Sequence, residues 1–138
     1  MDRYNSTDTA EVEIRKTYYP SGALKWETPY VKGNIHGIAK EYYESGALRR
    51  EAPCKNGKTD GIDKWYYESG ALEREIPYKK GKRHGTVKCY YETGALHWEA
   101  PYENGMQHGI VRGYDKEKMS IYSLALYDKG RVIAVVKI

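Results

Sequence analysis

Apolar and polar residues along this chain come in short runs, broken by a glycine about every dozen positions. Gly-Ile-Ala-Lys-Glu-Tyr-Tyr (Gly37 to Tyr43) is one run, and Ala-Leu-Arg-Arg-Glu-Ala-Pro (Ala47 to Pro53) is the next. A proline sits in each second run as well, so no segment is long enough for a helix. Short extended strands fit instead. Glu44-Ser45-Gly46 suits a three-residue hairpin loop in which Gly46 takes positive φ at a bulge. Val31-Lys32-Gly33 and Lys55-Asn56-Gly57 suit the turns into the following runs for the same reason.

The pattern recurs. Tyr-Tyr-x-Ser/Thr-Gly-Ala-Leu starts at Tyr18, Tyr42, Tyr66 and Tyr90, 24 residues apart each time, and a lone Tyr114 follows. Glycine pairs close the second loops at Gly33/Gly37, Gly57/Gly61, Gly81/Gly85 and Gly105/Gly109. A fixed period of this length marks a repeat architecture whose units stack on their neighbours. The expected fold is all-β: an elongated, twisted, single-layer antiparallel meander of 24-residue β-hairpins, about eleven strands in all. One domain over 1–138 is expected. It has an N-terminal strand at 11–17, full repeats over about 18–113, and a degenerate C-terminal cap hairpin at 114–138.

Parity gives a register. With Gly46 as the bulge, Tyr43 pairs with Ala47 and Tyr42 faces Leu48. Both Tyr42 and Leu48 are even-numbered, as is the period, so even positions are expected to share one face of the whole sheet. In the first unit this face carries Ile14, Lys16, Tyr18, Leu24, Trp26, Thr28 and Tyr30 and is the more apolar one. Glu27, Glu51, Glu75 and Glu99 fall on the odd face with the prolines and Tyr19, Tyr43, Tyr67 and Tyr91. Pro29, Pro53, Pro77 and Pro101 each remove a ladder donor, so the second strand is expected to be cut short or bulged there.

The tail departs from the pattern. Asp115-Lys116-Glu117-Lys118 replaces the usual turn, and the most apolar stretch of the chain follows, Ile121 to Tyr127 and Arg131 to Val136. Terminal repeats commonly cap a stack. An apolar edge strand is also a pairing hazard, which makes these strands a candidate for dimerisation or for docking a partner.

Composition narrows the functional classes. Net charge is +4, from 23 basic and 19 acidic residues of mixed position, unlike the dense basic cluster of a dedicated nucleic-acid binder. No apolar run reaches membrane-spanning length, and the first seventeen residues have no apolar centre of the kind a secretory signal needs, so a cytoplasmic setting is expected. Fifteen Tyr and three Trp with no Phe suit half-wet surfaces rather than a deep dry core. Cys54 and Cys89 stand where other units carry different residues, so neither a disulfide framework nor a metal site is expected.

No catalytic set is expected either. Ser21, Ser45 and Ser69 lie in turns without a fixed His and acid beside them, and the four glutamates occur one per unit. His36, His84 and His108, with Asp60 in the remaining unit, sit in successive hairpins about 9.5 Å apart. That is too far to share one zinc with ligand bonds of about 2 Å, so they read as turn anchors, with no cofactor.

The basic ladder is the sharper feature. Lys16, Lys40, Lys64, Lys88 and Arg112 hold equivalent positions. On parity, Lys16 faces Trp26 and Lys88 faces Trp98, as cation–π pairs, while Lys40 faces Arg50 and Lys64 faces Arg74. Like charges placed opposite destabilise a sheet unless solvated or covered by an acidic ligand. The candidate partner-binding set is therefore Lys40, Arg50, Lys64 and Arg74, framed by Trp26, Trp98, Tyr42, Tyr66 and Tyr90. Aromatics and arginine are enriched at binding hot spots. The plainer reading is a row of solvated charges whose stems cover the tyrosine rings.

Tyr42-Tyr43-Glu44-Ser45-Gly46 and Lys80-Gly81-Lys82-Arg83-His84-Gly85, with their counterparts over roughly residues 14 to 113, resemble the MORN repeat. The resemblance is nearest its bacterial variant, found in YwqK-family antitoxins. It implies an elongated twisted single sheet that binds proteins or sits at membranes, and the antitoxin kinship implies neutralisation of a partner toxin. Asp60 in place of a histidine departs from the pattern. The resulting expectation is a non-enzymatic inhibitor, antitoxin or immunity-type protein of bacterial or phage origin, which occludes an enzyme or toxin through an acidic surface of that partner. The alternative is an architectural or membrane-associated module binding anionic lipid through the basic ladder. Nucleic acid is not favoured.

Overall fold

The computed structural model describes residues 9–138; the first eight residues of the N-terminal segment read above for a signal lie outside them. All regular structure among the described residues is strand, fifteen in number, in one antiparallel sheet whose order follows the sequence. Hairpin 1 joins Val12–Tyr18 to Leu24–Val31, and hairpin 2 joins Gly37–Tyr42 to Leu48–Lys55. Hairpin 3 joins Gly61–Tyr66 to Leu72–Lys79, and hairpin 4 joins Gly85–Tyr90 to Leu96–Glu103. Hairpin 5, Gly109–Tyr114 with Ile121–Asp128, carries the last strand, Arg131–Lys137, on its outer edge. At about 4.8 Å per strand, the path of eleven long strands runs roughly 50 Å.

Turn chemistry shapes each unit. In hairpin 2 the Tyr43 N–H donates to Ala47 O at 2.8 Å, the Gly46 N–H donates to Tyr43 O at 2.9 Å, and Gly46 has φ +91°. This is the three-residue loop expected from Glu44-Ser45-Gly46. The second turns hold two successive residues at positive φ, as in Asn56 (51°) and Gly57 (81°), which is the two-residue turn whose twist matches the flanking strands.

The prolines act differently from expectation. Each second strand runs its full eight residues through the proline, as Leu48–Lys55 does through Pro53. It is the neighbouring strand that is interrupted: a two-residue strand, Lys58–Thr59, pairs with the end of Leu48–Lys55, and Gly61–Tyr66 begins beyond a break. Pro53 lies where no N–H is required on that side, and its carbonyl accepts from the Asp60 N–H at 2.9 Å. Gly61 has φ +116°, and a Cβ there would lie 2.9 Å from Pro53 Cγ. The break therefore needs both the proline and the glycine facing it.

Two rows of hydrogen bonds stitch hairpin to hairpin. The hydroxyls of Tyr19, Tyr43 and Tyr67 donate to the carbonyls of Tyr42, Tyr66 and Tyr90 at 2.7 Å, and Tyr91 donates to Tyr114 O at 2.9 Å. At the opposite strand ends, the N–H groups of Gly57, Gly81, Gly105 and Gly130 donate to Ile35, Thr59, Arg83 and Gln107. The doubled tyrosine is thus a division of labour: the second ring fastens its hairpin to the next.

One feature overturns the expected faces. Tyr42 pairs with Leu48, but Glu41 pairs with Arg50 and Lys40 with Glu51. A β-bulge at Arg49 slips the register by one residue, which exchanges the faces of everything beyond it on the second strand. Hairpins 1, 3 and 4 carry the same slip at Lys25, Glu73 and His97. Even positions therefore do not share a face.

Little is buried. Besides Pro29 on the opposite face, the buried apolar side chains are Ala39, Ala52, Ile76, Val87, Cys89 and Ala100, together with the carboxylates Glu41 and Asp63 among the described residues. All but Pro29 lie on the face that carries Arg50. At the two edges Val12 and Ile14, and Val132, Ile133, Val135 and Val136, stay exposed.

Candidate functional site

The bulges sort the chain into two unlike faces. On the first, Lys16, Glu27, Lys40, Glu51, Lys64, Glu75, Lys88, Glu99 and Arg112 pair in succession across nine strands, alternating in sign. Opposite charges side by side support a sheet. Lys16 reaches Glu27 at 3.6 Å and Arg112 reaches Glu99 at 3.7 Å. The Tyr66 and Tyr114 hydroxyls donate to Glu51 and Glu99 at 3.3 and 2.7 Å. Most positions here repeat: Lys or Arg, Glu, Tyr, Leu, Pro, and Ile with one Thr; the strand-end places Val31, Lys55, Lys79 and Glu103 do not.

The other face is individual. Thr17, Trp26, Glu41, Arg50, Trp65, Arg74, Cys89, Trp98, Gly113 and Ser123 pair in succession along it. Beside this row, equivalent positions read Ala39, Asp63, Val87 and Val111 on the first strands, and Lys25, Arg49, Glu73 and His97 at the bulges. Apart from the fastening tyrosines, the residues that distinguish one unit from the next concentrate on this face.

The expected site is thereby divided. Lys40, Lys64, Tyr42, Tyr66 and Tyr90 lie on the uniform face, each lysine between two glutamates. Arg50, Arg74, Trp26 and Trp98 lie on the variable face. Lys40 does not oppose Arg50, nor Lys64 Arg74, and the pairings of Lys16 with Trp26 and Lys88 with Trp98 do not form, because the bulge intervenes. Arg15 bonds Glu13 at 2.8 Å and lies 4.0 Å over the Tyr30 ring.

What the variable face assembles is a stack centred on Trp65. The guanidiniums of Arg50 and Arg74 lie 4.7 and 4.9 Å from its ring centre, with Arg49 at 5.8 Å. Each such contact contributes about 0.5–2 kcal/mol, rising with desolvation. Asp63, 1% exposed, accepts from Arg50 Nε and Nη2 at 2.9 and 2.8 Å and from the Trp65 indole at 3.3 Å. The Asp63 hydrogen bonds hold the Arg50 proton more firmly than usual, against the opposing effect of burial. Glu41, also buried, accepts from Arg49 Nη1 at 3.1 Å. Three arginines meet Glu41, Asp63 and Glu73, so this centre is an ion-pair network and not a free positive patch.

Trp65, Asp63, Glu41 and Arg49 were absent from the expected set. Trp65 and Asp63 are odd-numbered and parity placed them away from Arg50; the signal was that Lys40 and Glu51 form ladders of identical period and opposite sign.

Beyond the stack, Cys89 is buried between Arg74 and Trp98, and burial pushes its thiol up to about 11. His97 stacks on Tyr91 with ring centres 4.1 Å apart. Two of the three turn histidines make side-chain contacts there: His36 Nδ1 accepts from the Asn56 N–H at 3.4 Å, and His108 Nδ1 lies 3.2 Å from Asp128. No cluster of three or more metal-ligating side chains occurs among the described residues. No helix among them is long and apolar enough to cross a membrane.

A family model described as MORN repeat variant matches residues 35–56, 59–80 and 83–104. No curated protein matches the chain.

Proposed function

From this chain being a MORN repeat protein of the variant type, a scaffold for protein or membrane binding, we propose that it is a non-enzymatic, cytoplasmic inhibitor of the antitoxin or immunity kind. It binds a partner enzyme or toxin through the variable face and occludes it. The observation that carries this reading is the contrast between the faces. The uniform face repeats one set of residues, as a scaffold requires. The other face varies from unit to unit and concentrates tryptophan, tyrosine and arginine, the residues that dominate interface energetics. Trp26, Trp65 and Trp98 are half-buried in this single layer, so part of their aromatic area faces solvent, where it is available to a partner.

The lipid-binding alternative gains little support. Its basic ladder alternates with glutamates, which flank Lys40, Lys64 and Lys88 on both sides, so the field at a membrane surface is weak.

The test captures proteins from the native host on the immobilised chain and on two variants. Trp65→Ala/Trp98→Ala alters the variable face, and Lys64→Ala/Glu75→Ala alters the uniform one. A partner retained by the wild type and the second variant and lost by the first is expected, with its catalytic activity falling when the chain is added. Equal capture by all three, or a partner whose activity does not change, overturns the proposal. Salt-sensitive sedimentation with anionic vesicles favours the membrane reading instead.

A further inference from the structure

Hairpins 2 and 3 present an arginine at the same place, Arg50 and Arg74, with different surroundings. Beside Arg50 the next hairpin supplies Asp63, which takes two of its donors, and Trp65, which stacks on it. One period further on, the same two places are Val87 and Cys89. The carboxylate and the indole that complete Arg50 therefore have no counterpart in the hairpin that follows Arg74.

Arg74 shows what is missing. Its Nε is buried and makes no hydrogen bond. The Glu73 carboxylate stands 3.5 Å away, beyond the usual N–H···O range. The Arg74 side chain keeps 38% of its surface exposed, so part of it beyond the buried Nε faces solvent. It borders a hollow of about 280 Å³, lined by Tyr67, Glu73, Arg74, Cys89, His97 and Trp98 among others.

We infer that an aspartate or glutamate side chain of the protein partner docks in this hollow on the Arg74 guanidinium, in the role that Asp63 plays for Arg50, with Trp98 as its aromatic wall. The inference rests on the protein-binding reading above. The chemistry is that of the planar fork, whose paired donors match a carboxylate and give a charge-assisted bond about twice as strong as a neutral one.

The test selects peptides by random-peptide display on the immobilised full chain, then measures them on Lys64→Ala/Glu75→Ala and on three further variants. Val87→Asp places a carboxylate in the Asp63 position, Arg74→Gln removes the charge on a half-exposed side chain, and Trp98→Ala removes the wall. Selected peptides are expected to contain an Asp or Glu whose amide replacement weakens binding about tenfold or more. Binding is expected to fail on both Val87→Asp and Arg74→Gln. Circular dichroism checks the fold, and if Val87→Asp does not fold, Arg74→Gln decides alone. Peptides that need Trp98 but no acid, or are indifferent to Arg74→Gln, overturn the carboxylate inference and leave the protein-binding reading standing. Peptides that lose binding only on Lys64→Ala/Glu75→Ala overturn both.

Discussion

The Arg50–Asp63 pair permits a test in which the protein serves as its own template. Asp63→Val removes a carboxylate that is 1% exposed and leaves the arginine behind. Breaking a buried ion pair from one side costs about 3–5 kcal/mol, because a charge is stranded in low dielectric. Arg50 keeps 24% exposure and its stack on Trp65, so the stranded charge is partly solvated. About 2–3 kcal/mol is the expected loss. Hairpins 4 and 5 show an apolar form of the same site, with Trp98 where Arg50 stands, Val111 where Asp63 does and Gly113 where Trp65 does. Trp65 leaves no such space opposite Arg50, so a smaller side chain is needed: combining Arg50→Leu with Asp63→Val should recover most of the loss, to within about 1 kcal/mol of the wild type, since replacing both members of a buried pair is nearly neutral. Urea unfolding followed by far-ultraviolet circular dichroism gives both quantities. The slope of each transition checks that the whole array still unfolds together, as repeat proteins need not. A single-variant loss below about 0.5 kcal/mol, or a double variant no better than the single, refutes the account of this pair.

Three further outcomes are expected. Tyr67→Phe removes the hydroxyl that donates to Tyr90 O and should cost about 1 kcal/mol in the same assay. Gly61→Ala should cost about 1–3 kcal/mol, since it adds steric conflict with Pro53 to a strained φ. Gly70→Ala, with φ +92° and nothing within 4 Å, should cost less, and equal losses would remove the role assigned to Pro53. Cys89, with its thiol raised from 9.0 to about 11, should be alkylated about a hundredfold more slowly near neutral pH than an unperturbed thiol. The rate should climb as pH rises towards 11; mass spectrometry of the digested protein reads this site by site.

The period, the hairpins and the three-residue turn were legible in the sequence because each depends on local chemistry: Gly46, Gly57 and the spacing of the tyrosines. The faces were not. A bulge of the kind at Arg49 needs no glycine, so Lys25, Arg49, Glu73 and His97 share no residue type that marks it. One inserted residue exchanges the faces beyond it, so Arg50 and Arg74 were grouped with Lys40 and Lys64, and Trp65 was set apart from them. The clue was electrostatic. Uninterrupted alternation sets Lys40 against Arg50 and Lys64 against Arg74, while a slip of one residue sets both lysines against glutamates. Only the slipped register is favourable. The burial of Asp63 depends on a pairing between hairpins, which no single unit contains.

The uniform face and the fastening tyrosines also bear on how such a chain changes length. Junctions between hairpins use the same contacts, the Tyr43 hydroxyl on Tyr66 O or the Tyr67 hydroxyl on Tyr90 O, so a cassette of 24 residues can be gained or lost while its flanks still join. The junction of hairpins 2 and 3 is the exception. There Arg50 of one is answered by Asp63 of the other, and inserting a cassette between them strands a charge on both sides. Growth by duplication is open along most of the array, but those two hairpins are bound to stay neighbours.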